Sequence, residues 1–253
     1  MEQFIAVIMV PLYDEIMDKM DRKVAVVTGA GGGLGRTFAT ALAEEGWAVA
    51  LLGRTRRTLE ETAEGLADAL VVPCDISDEA SVAVAFQEIT GHYGRLNLLV
   101  NNAGIPGPTG EIHTISPAEW RATLDTNITG TFLCSRQAFA WMAAHGGGRI
   151  INNGSIAAHS PRAGVGAYAA SKAAVASLTV STSLDGRPYG ITATELDIGN
   201  VRTALLGSFT GAEPMFDAAE AARLLVAVAA MPADVSVDQV TVTAAGMPYL
   251  GRG

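Results

Sequence analysis

From residue 23 onward, short uninterrupted apolar runs alternate with longer stretches in which apolar residues return every third or fourth position. Runs so short and so uniformly apolar fit strands covered on both faces, as in a parallel sheet. They lie at 24–27, 48–52, 70–72, 96–100, 149–152, 191–196 and 237–242. Between them fall helical patterns at 34–45, 58–66, 79–93, 117–145, 168–184 and 218–230. Strand and helix taking turns in this way is the mark of βαβ units. No period of the solenoid kind recurs and no Pro/Ser-rich linker divides the chain. The expectation is one doubly wound α/β domain over residues 21–253, with a mostly or wholly parallel seven-stranded sheet and residues 1–20 as an N-terminal extension.

Composition narrows the partners. The 253 residues carry Lys+Arg 17 against Asp+Glu 26, a formal charge of -9, and only 17% are charged. Soluble domains average about 25% charged residues, so this chain has more apolar surface to hide, some of it expected between subunits. The acidic balance excludes nucleic acid as a partner. Cys74 and Cys134 lie far apart with no Cys or His nearby in metal-ligand spacing, so neither a disulfide framework nor a zinc site is expected. The apolar stretch at 4–10 ends at Pro11 and is flanked by Glu2 and Asp14. It is too short to span a membrane and lacks the basic start of a signal peptide, so the protein reads as cytoplasmic.

Three places carry chemistry. The first strand runs into Thr28-Gly29-Ala30-Gly31-Gly32-Gly33-Leu34-Gly35 and then directly into a helical pattern. Glycines let a backbone turn sharply and approach a pyrophosphate, whose charge a helix N-terminus favours. Arg36 stands where a third glycine of G-x-G-x-x-G would be, and Ala30 and Arg36 also break the P-loop pattern. Behind the second strand come Gly53 and Arg54, where a fold selecting NAD usually places an acid for the ribose 2′-hydroxyl; an arginine suits a 2′-phosphate. Arg56 and Arg57 read as a solvated helix start. Lastly, Tyr168 and Lys172 sit at i and i+4 at the opening of an Ala-rich helix, with Ser155 upstream after the fifth strand. They share one helical face, and a neighbouring ammonium favours the phenolate that proton transfer at a carbonyl requires.

In this order the residues resemble the short-chain dehydrogenase/reductases of the Ser-Tyr-Lys type, over nearly all of residues 22–245. The resemblance implies a Rossmann fold and an NAD(P)-dependent oxidoreductase that interconverts a carbonyl and a secondary alcohol. Thr28-Gly29-x-x-x-Gly33-Leu34-Gly35 is similar to the family's cofactor loop, Asp75 with Ile76 to its adenine contact, and Asn102-Ala103-Gly104, preceded by Asn101, to the segment that supports the sheet and lines the cofactor. Asn127, Ser155, Tyr168 and Lys172 match the family's catalytic set: Ser155 would bond the substrate oxygen, Tyr168 exchange its proton, Lys172 bind the nicotinamide ribose, and Asn127 hold a water. Val201 and Thr203 would contact the carboxamide. NADP(H) is the preferred cofactor on this reading, with NAD(H) possible, and the substrate is a small carbonyl or alcohol compound.

Some positions depart from that pattern. Ile198 replaces a usual proline, Gly32 stands where many NADP-preferring members carry a basic residue, and the stretch from Thr203 to Ala218 is short for a substrate lid. The tail from Gly246 to Gly253 lacks the common Asp-Gly-Gly ending. His92, His113, His145 and His159 show no metal-ligand spacing, so no metal is expected, and His159 and Arg162 read as structural residues of a pocket-side loop. A serine hydrolase built on Ser155 is disfavoured, because Asn153 and Ala157 stand where its elbow needs glycines. The competing class is a sensor or scaffold that binds dinucleotide without turnover; the full set of Asn127, Ser155, Tyr168 and Lys172 speaks against it.

Overall fold

The computed structural model describes residues 22–202 and 213–247. The expectations for residues 1–20, for Thr203 with most of the lid segment, and for the end of the tail lie outside the described residues.

The apolar runs form β1 (Val24–Thr28), β2 (Ala48–Gly53), β3 (Ala69–Pro73), β4 (Leu98–Asn101), β5 (Gly148–Asn153) and β6 (Ile191–Ile198). A short pair follows, β7 (Val201–Arg202) with β8 (Phe216–Asp217), and β9 (Gln239–Val242) ends the series. Seven of these strands make one sheet in the order β3-β2-β1-β4-β5-β6-β9. All six of its pairings are parallel, so the sheet is wholly parallel.

Helices cover both faces: α1 (Gly33–Glu44), α2 (Arg56–Ala63), α3 (Glu79–Tyr93), α4 (Pro117–Leu124), α5 (Gly130–Ala144), α6 (Gly166–Gly186) and α7 (Ala218–Ala229). Alternation along β1 shows why the strand had to be apolar throughout. Ala25 and Val27 join Phe38 and Leu42 of α1 and Leu225 of α7 in one core, while Val26 joins Phe86 and Ile89 of α3 and Met142 of α5 in the other. Each fully buried side chain of that size contributes about 1.5–3 kcal/mol.

The helical pattern expected over 117–145 is divided. Ser116 and Glu119 close a capping box with Pro117 in the first turn, so α4 starts where the sequence signals a start. The run then widens into a π turn at Asp125–Thr129 before α5 resumes. Asn127 lies in that turn, buried, and Gly130 beyond it lets Ile76 pack so close that a Cβ there would stand 2.6 Å from the Ile76 Cδ1. A wider turn of this kind re-aims a side chain within an otherwise regular helix.

Candidate active site

The strand order reverses between β1 and β4, and the crevice at the carboxyl ends of these strands is where a doubly wound sheet takes a ligand. The glycines there are used sterically. Gly29 (φ +66) and Gly33 (φ +52) adopt left-handed backbone. A Cβ on Gly29 would stand 2.9 Å from Ala103 Cα, and one on Gly35 would stand 2.1 Å from the Gly29 carbonyl oxygen. Gly32, at the cap of α1, offers no side chain to the first turn, which also holds no acid. The N–H groups of Gly33, Leu34 and Gly35 therefore face the crevice end without helical partners, the arrangement that binds a pyrophosphate. A backbone cradle that a single methyl would fill fits the dinucleotide expected from the loop.

Two neighbours hold the cradle. Thr28, 1% exposed, accepts the N–H groups of Asn102 and Ala103 at 3.0 Å each through its Oγ1, and its carbonyl accepts Asn102 Nδ2 at 3.0 Å. Asn153 Nδ2 donates to Asn102 Oδ1 at 3.0 Å, tying β5 to the same turn. Arg36 braces the other side: its Nε donates to Thr62 Oγ1 at 2.9 Å and its Nη2 to the Gly31 carbonyl at 3.0 Å. The residue that spoils the sequence fingerprint is thus the clamp between the Gly-rich loop and α2.

At the far end of the crevice Arg54 is exposed and, among the described residues, makes no hydrogen bond or ion pair. Arg56 pairs with Glu60 at 3.7 Å and Arg57 with Glu61, both within α2. Asp75 is exposed. Its Oδ1 accepts the hydroxyl and the N–H of Ser77, which hold its carboxyl below the usual range with help from Arg54, and leave Oδ2 outward. Ile76 is buried beneath it.

The remaining residues of the site converge from four elements. Asn127 Oδ1 accepts the Ile105 N–H at 2.8 Å, while its Nδ2 donates to the Ile105 carbonyl at 2.9 Å and to Ser171 Oγ at 3.0 Å. Lys172, 6% exposed, donates from Nζ to the Asn153 carbonyl at 2.6 Å and lies 5.7 Å from the centre of the Tyr168 ring. A Cβ on Gly104 would stand 3.2 Å from Asn127 Oδ1 and 3.9 Å from Lys172 Nζ, so the Asn102-Ala103-Gly104 turn packs closely on Asn127 with Lys172 beyond it. The Tyr168 hydroxyl has no hydrogen bond among the described residues. Ser155 is buried and accepts the Ala157 N–H at 3.1 Å, which leaves its hydroxyl proton to donate. Val201 packs into the core and pairs with Phe216; Thr203 lies outside the described residues.

Beneath Ser155 lies a group that sequence reasoning did not single out. The Ser155 N–H donates to Asp197 Oδ1 at 2.9 Å. Asp197 Oδ2 stands 3.0 Å from His159 Nε2 and accepts Gln239 Nε2 at 2.8 Å. Glu195 is buried beside it; burial first, and then the Asp197 charge, push its carboxyl up to about 7. The signal was present: Glu195 and Asp197 interrupt a strand of β6 that is otherwise apolar and small. His159 and Arg162, read as structural, are both engaged, Arg162 with Asn200 and Glu213.

Residues 23–213 match the family model described as short chain dehydrogenase. The chain belongs to the short-chain dehydrogenase family. A cis-4-hydroxycyclohexanecarboxylate dehydrogenase of Sinomonas cyclohexanicum is 37% identical over 188 residues, covering 73% of this chain and 75% of that protein. A 2,3-dihydro-2,3-dihydroxybenzoate dehydrogenase of Bacillus subtilis (strain 168) is 34% identical over 188 residues, covering 73% and 72%. Among solved structures, a 3-ketoacyl-(acyl-carrier-protein) reductase from Brucella melitensis complexed with NADH superposes with a TM-score of 0.82 at 28% identity, over 87% of this chain and 96% of that one. This short-chain dehydrogenase is accordingly an NAD(P)-dependent oxidoreductase with a Rossmann-type sheet, acting on a small molecule. No described helix is long and apolar enough to cross a membrane.

Proposed function

We propose that this short-chain dehydrogenase interconverts a carbonyl and a secondary alcohol, with Tyr168 as general acid/base and NADP(H) as its preferred cofactor, and that residues 21–253 act as one catalytic domain. The observation that carries the reading is the position of Lys172. Its buried ammonium is held by the Asn153 carbonyl, while the Tyr168 ring lies 5.7 Å away with its hydroxyl unpartnered among the described residues. A fixed cation near a phenol favours the phenolate, which lets Tyr168 take a proton from an alcohol or return it to a developing alkoxide. Ser155 donates its hydroxyl proton to the same substrate oxygen, and Asn127 fixes the Ile105 backbone and Ser171 behind Lys172. When bound, the nicotinamide dinucleotide supplies or accepts the hydride; Gly29, Gly33, Leu34, Gly35, Asn102, Ala103 and Gly104 shape its cradle, Asp75 and Ile76 receive the adenine, and Val201 and Thr203 border the nicotinamide.

Arg54 supports NADP(H): it alone of the three arginines after β2 is unpaired among the described residues. The two dehydrogenases named above carry ring-hydroxy compounds in their names and the reductase a 3-ketoacyl group, so cyclic secondary alcohols and ketones head the substrate panel and 3-ketoacyl compounds follow. Exposed Trp120, Phe132, Val180 and Leu184 on α4, α5 and α6 support self-association as a homodimer or homotetramer. The deciding experiment screens such a panel with all four cofactor forms at the nicotinamide absorbance. Turnover in the wild type that falls by about a hundredfold or more in Tyr168→Phe supports the assignment. Turnover retained in that variant overturns it, and tight dinucleotide binding with no turnover on the panel would establish the sensor or scaffold. NADH bound as tightly as NADPH, or a preference unchanged in Arg54→Asp, overturns the role of Arg54.

A further inference from the structure

Strand β6 sends Glu195 and Asp197 to one face, because side chains alternate along a strand. Both are buried, at 4% and 0% exposure. A Cβ on Gly154 would stand 2.4 Å from Asp197 Oδ1 and 2.9 Å from Glu195 Oε1, so the two carboxylates lie together against Gly154, whose lack of a side chain makes room for both. Glu195 Oε1 is buried there with no hydrogen-bond partner. Two buried acids side by side demand a positive counterpart, and Lys172, the nearest ammonium described above, is committed to Asn153. His159 approaches from the loop after Ser155, and one donor atom from each of His159, Glu195 and Asp197 lies within 4.8 Å of the other two.

We propose that His159, Glu195 and Asp197 bind one divalent cation, of the class that accepts mixed imidazole and carboxylate donors, such as Zn2+ or Mn2+. Ligands at about 2.1 Å from one tetrahedral ion stand about 3.4 Å apart, and the three donor atoms lie within 4.8 Å of one another, so the site contracts as it takes the ion. His159 can supply that movement, since its side chain is 38% exposed, and the same exposure opens the way in. Asp197 Oδ2 exchanges the exposed Gln239 amide for the ion and keeps Oδ1 on the Ser155 N–H. The ion sits behind the Ser155 turn as a brace and takes no part in hydride or proton transfer. Histidine spacing in the sequence carries no trace of this site, because two of its ligands are acids of one strand.

The test uses the full chain after dialysis against a chelator, titrated with MnCl2 or ZnCl2 by calorimetry, with metal content and thermal midpoint measured in parallel. One ion per chain is expected, raising the midpoint, with affinity weakened by about tenfold or more in both His159→Ala and Glu195→Gln and unchanged in His113→Ala. Glu195→Gln keeps the side-chain volume, and circular dichroism checks that each variant folds. No stoichiometric uptake by the wild type overturns the proposal. So does uptake that survives both ligand variants, which would place the ion elsewhere, and so does a Glu195→Gln variant that is stabilised without metal while the wild type takes none, which would mean that a proton holds the two acids together. None of these outcomes depends on turnover or on dinucleotide binding.

Discussion

Replacing Thr28 by valine isolates the hydrogen bonds that hold the cofactor crevice. Valine keeps the branched shape in a position that is 1% exposed, so packing changes little and the hydroxyl is what disappears. The half-buried Ala103 N–H loses its only acceptor among the described residues, a cost of about 1–2 kcal/mol. The Asn102 N–H loses one of two, since it also reaches the Val100 carbonyl at 3.1 Å, and that costs about 0.5–1 kcal/mol. The donated bond to the Val100 carbonyl is long, 3.4 Å, and adds little. The sum is about 2–3 kcal/mol, which for a chain of this length lowers the thermal midpoint by about 5–10 °C. Because the freed turn also presses on Gly29, dinucleotide affinity should fall as well, by up to about tenfold. Denaturant unfolding of the wild type, Thr28→Val and Thr28→Ser, with cofactor titration of each, checks this. Serine retains Oγ and should recover most of the loss. A valine variant within about 0.5 kcal/mol of the wild type, or a serine variant as damaged as the valine one, would refute the reasoning.

Three further outcomes follow from particular contacts. Gly35→Ala places a methyl 2.1 Å from the Gly29 carbonyl and should abolish measurable dinucleotide binding, whereas Gly32→Ala, extended at φ 179 with nothing within 4 Å, should leave binding and stability within about 0.5 kcal/mol of the wild type; equal effects would mean that the cradle is not steric. Arg36→Met removes the clamp on the Gly31 carbonyl while keeping an unbranched stem, and should raise the dinucleotide Kd by about three- to tenfold at unchanged kcat; a drop in kcat alone would contradict a bracing role. Burial pushes the thiols of Cys74 and Cys134 up, Ser81 only partly opposing this at Cys74, so a thiol reagent at pH 8 should label neither in the native protein and both after unfolding; rapid native labelling would mean that the region opens locally.

The architecture was legible because parallel strands advertise themselves. Strands β1 and β2 are buried along nearly their whole length and are apolar to match, and β1 satisfies two cores with alternate residues, whereas the edge strand β9 exposes Gln239 and Thr241. Element ends were less legible. The π turn at Asp125–Thr129 has no periodic signature, since it is fixed by Asn127 reaching across to Ile105, a contact between residues far apart in sequence. The pair of β7 and β8 was likewise missed, being too short to carry a pattern.

Legibility of the site divides along the same line. Gly29, Gly35, Tyr168 and Lys172 could be singled out because what marks them is local, a turn, a helix start, or an i, i+4 pair. The side-chain contacts of Arg36, Thr28 and Asp197 could not be foreseen, because each partner lies on another element: Thr62, Ala103 and Ser155 respectively. Arg36 is the instructive case. Judged as a deviation from a glycine fingerprint it weakens the dinucleotide reading, yet in the fold its guanidinium accounts for how a loop of four glycines within five residues keeps one shape. Glycine-rich backbone loses more conformational freedom on ordering than any other, about 0.5–1 kcal/mol per residue relative to alanine, and a side chain anchored in α2 through Thr58, Glu61 and Thr62 offsets part of that before any ligand arrives. A cradle held in this way binds by preorganisation, and so the residue that breaks the motif serves the same end as the glycines that define it.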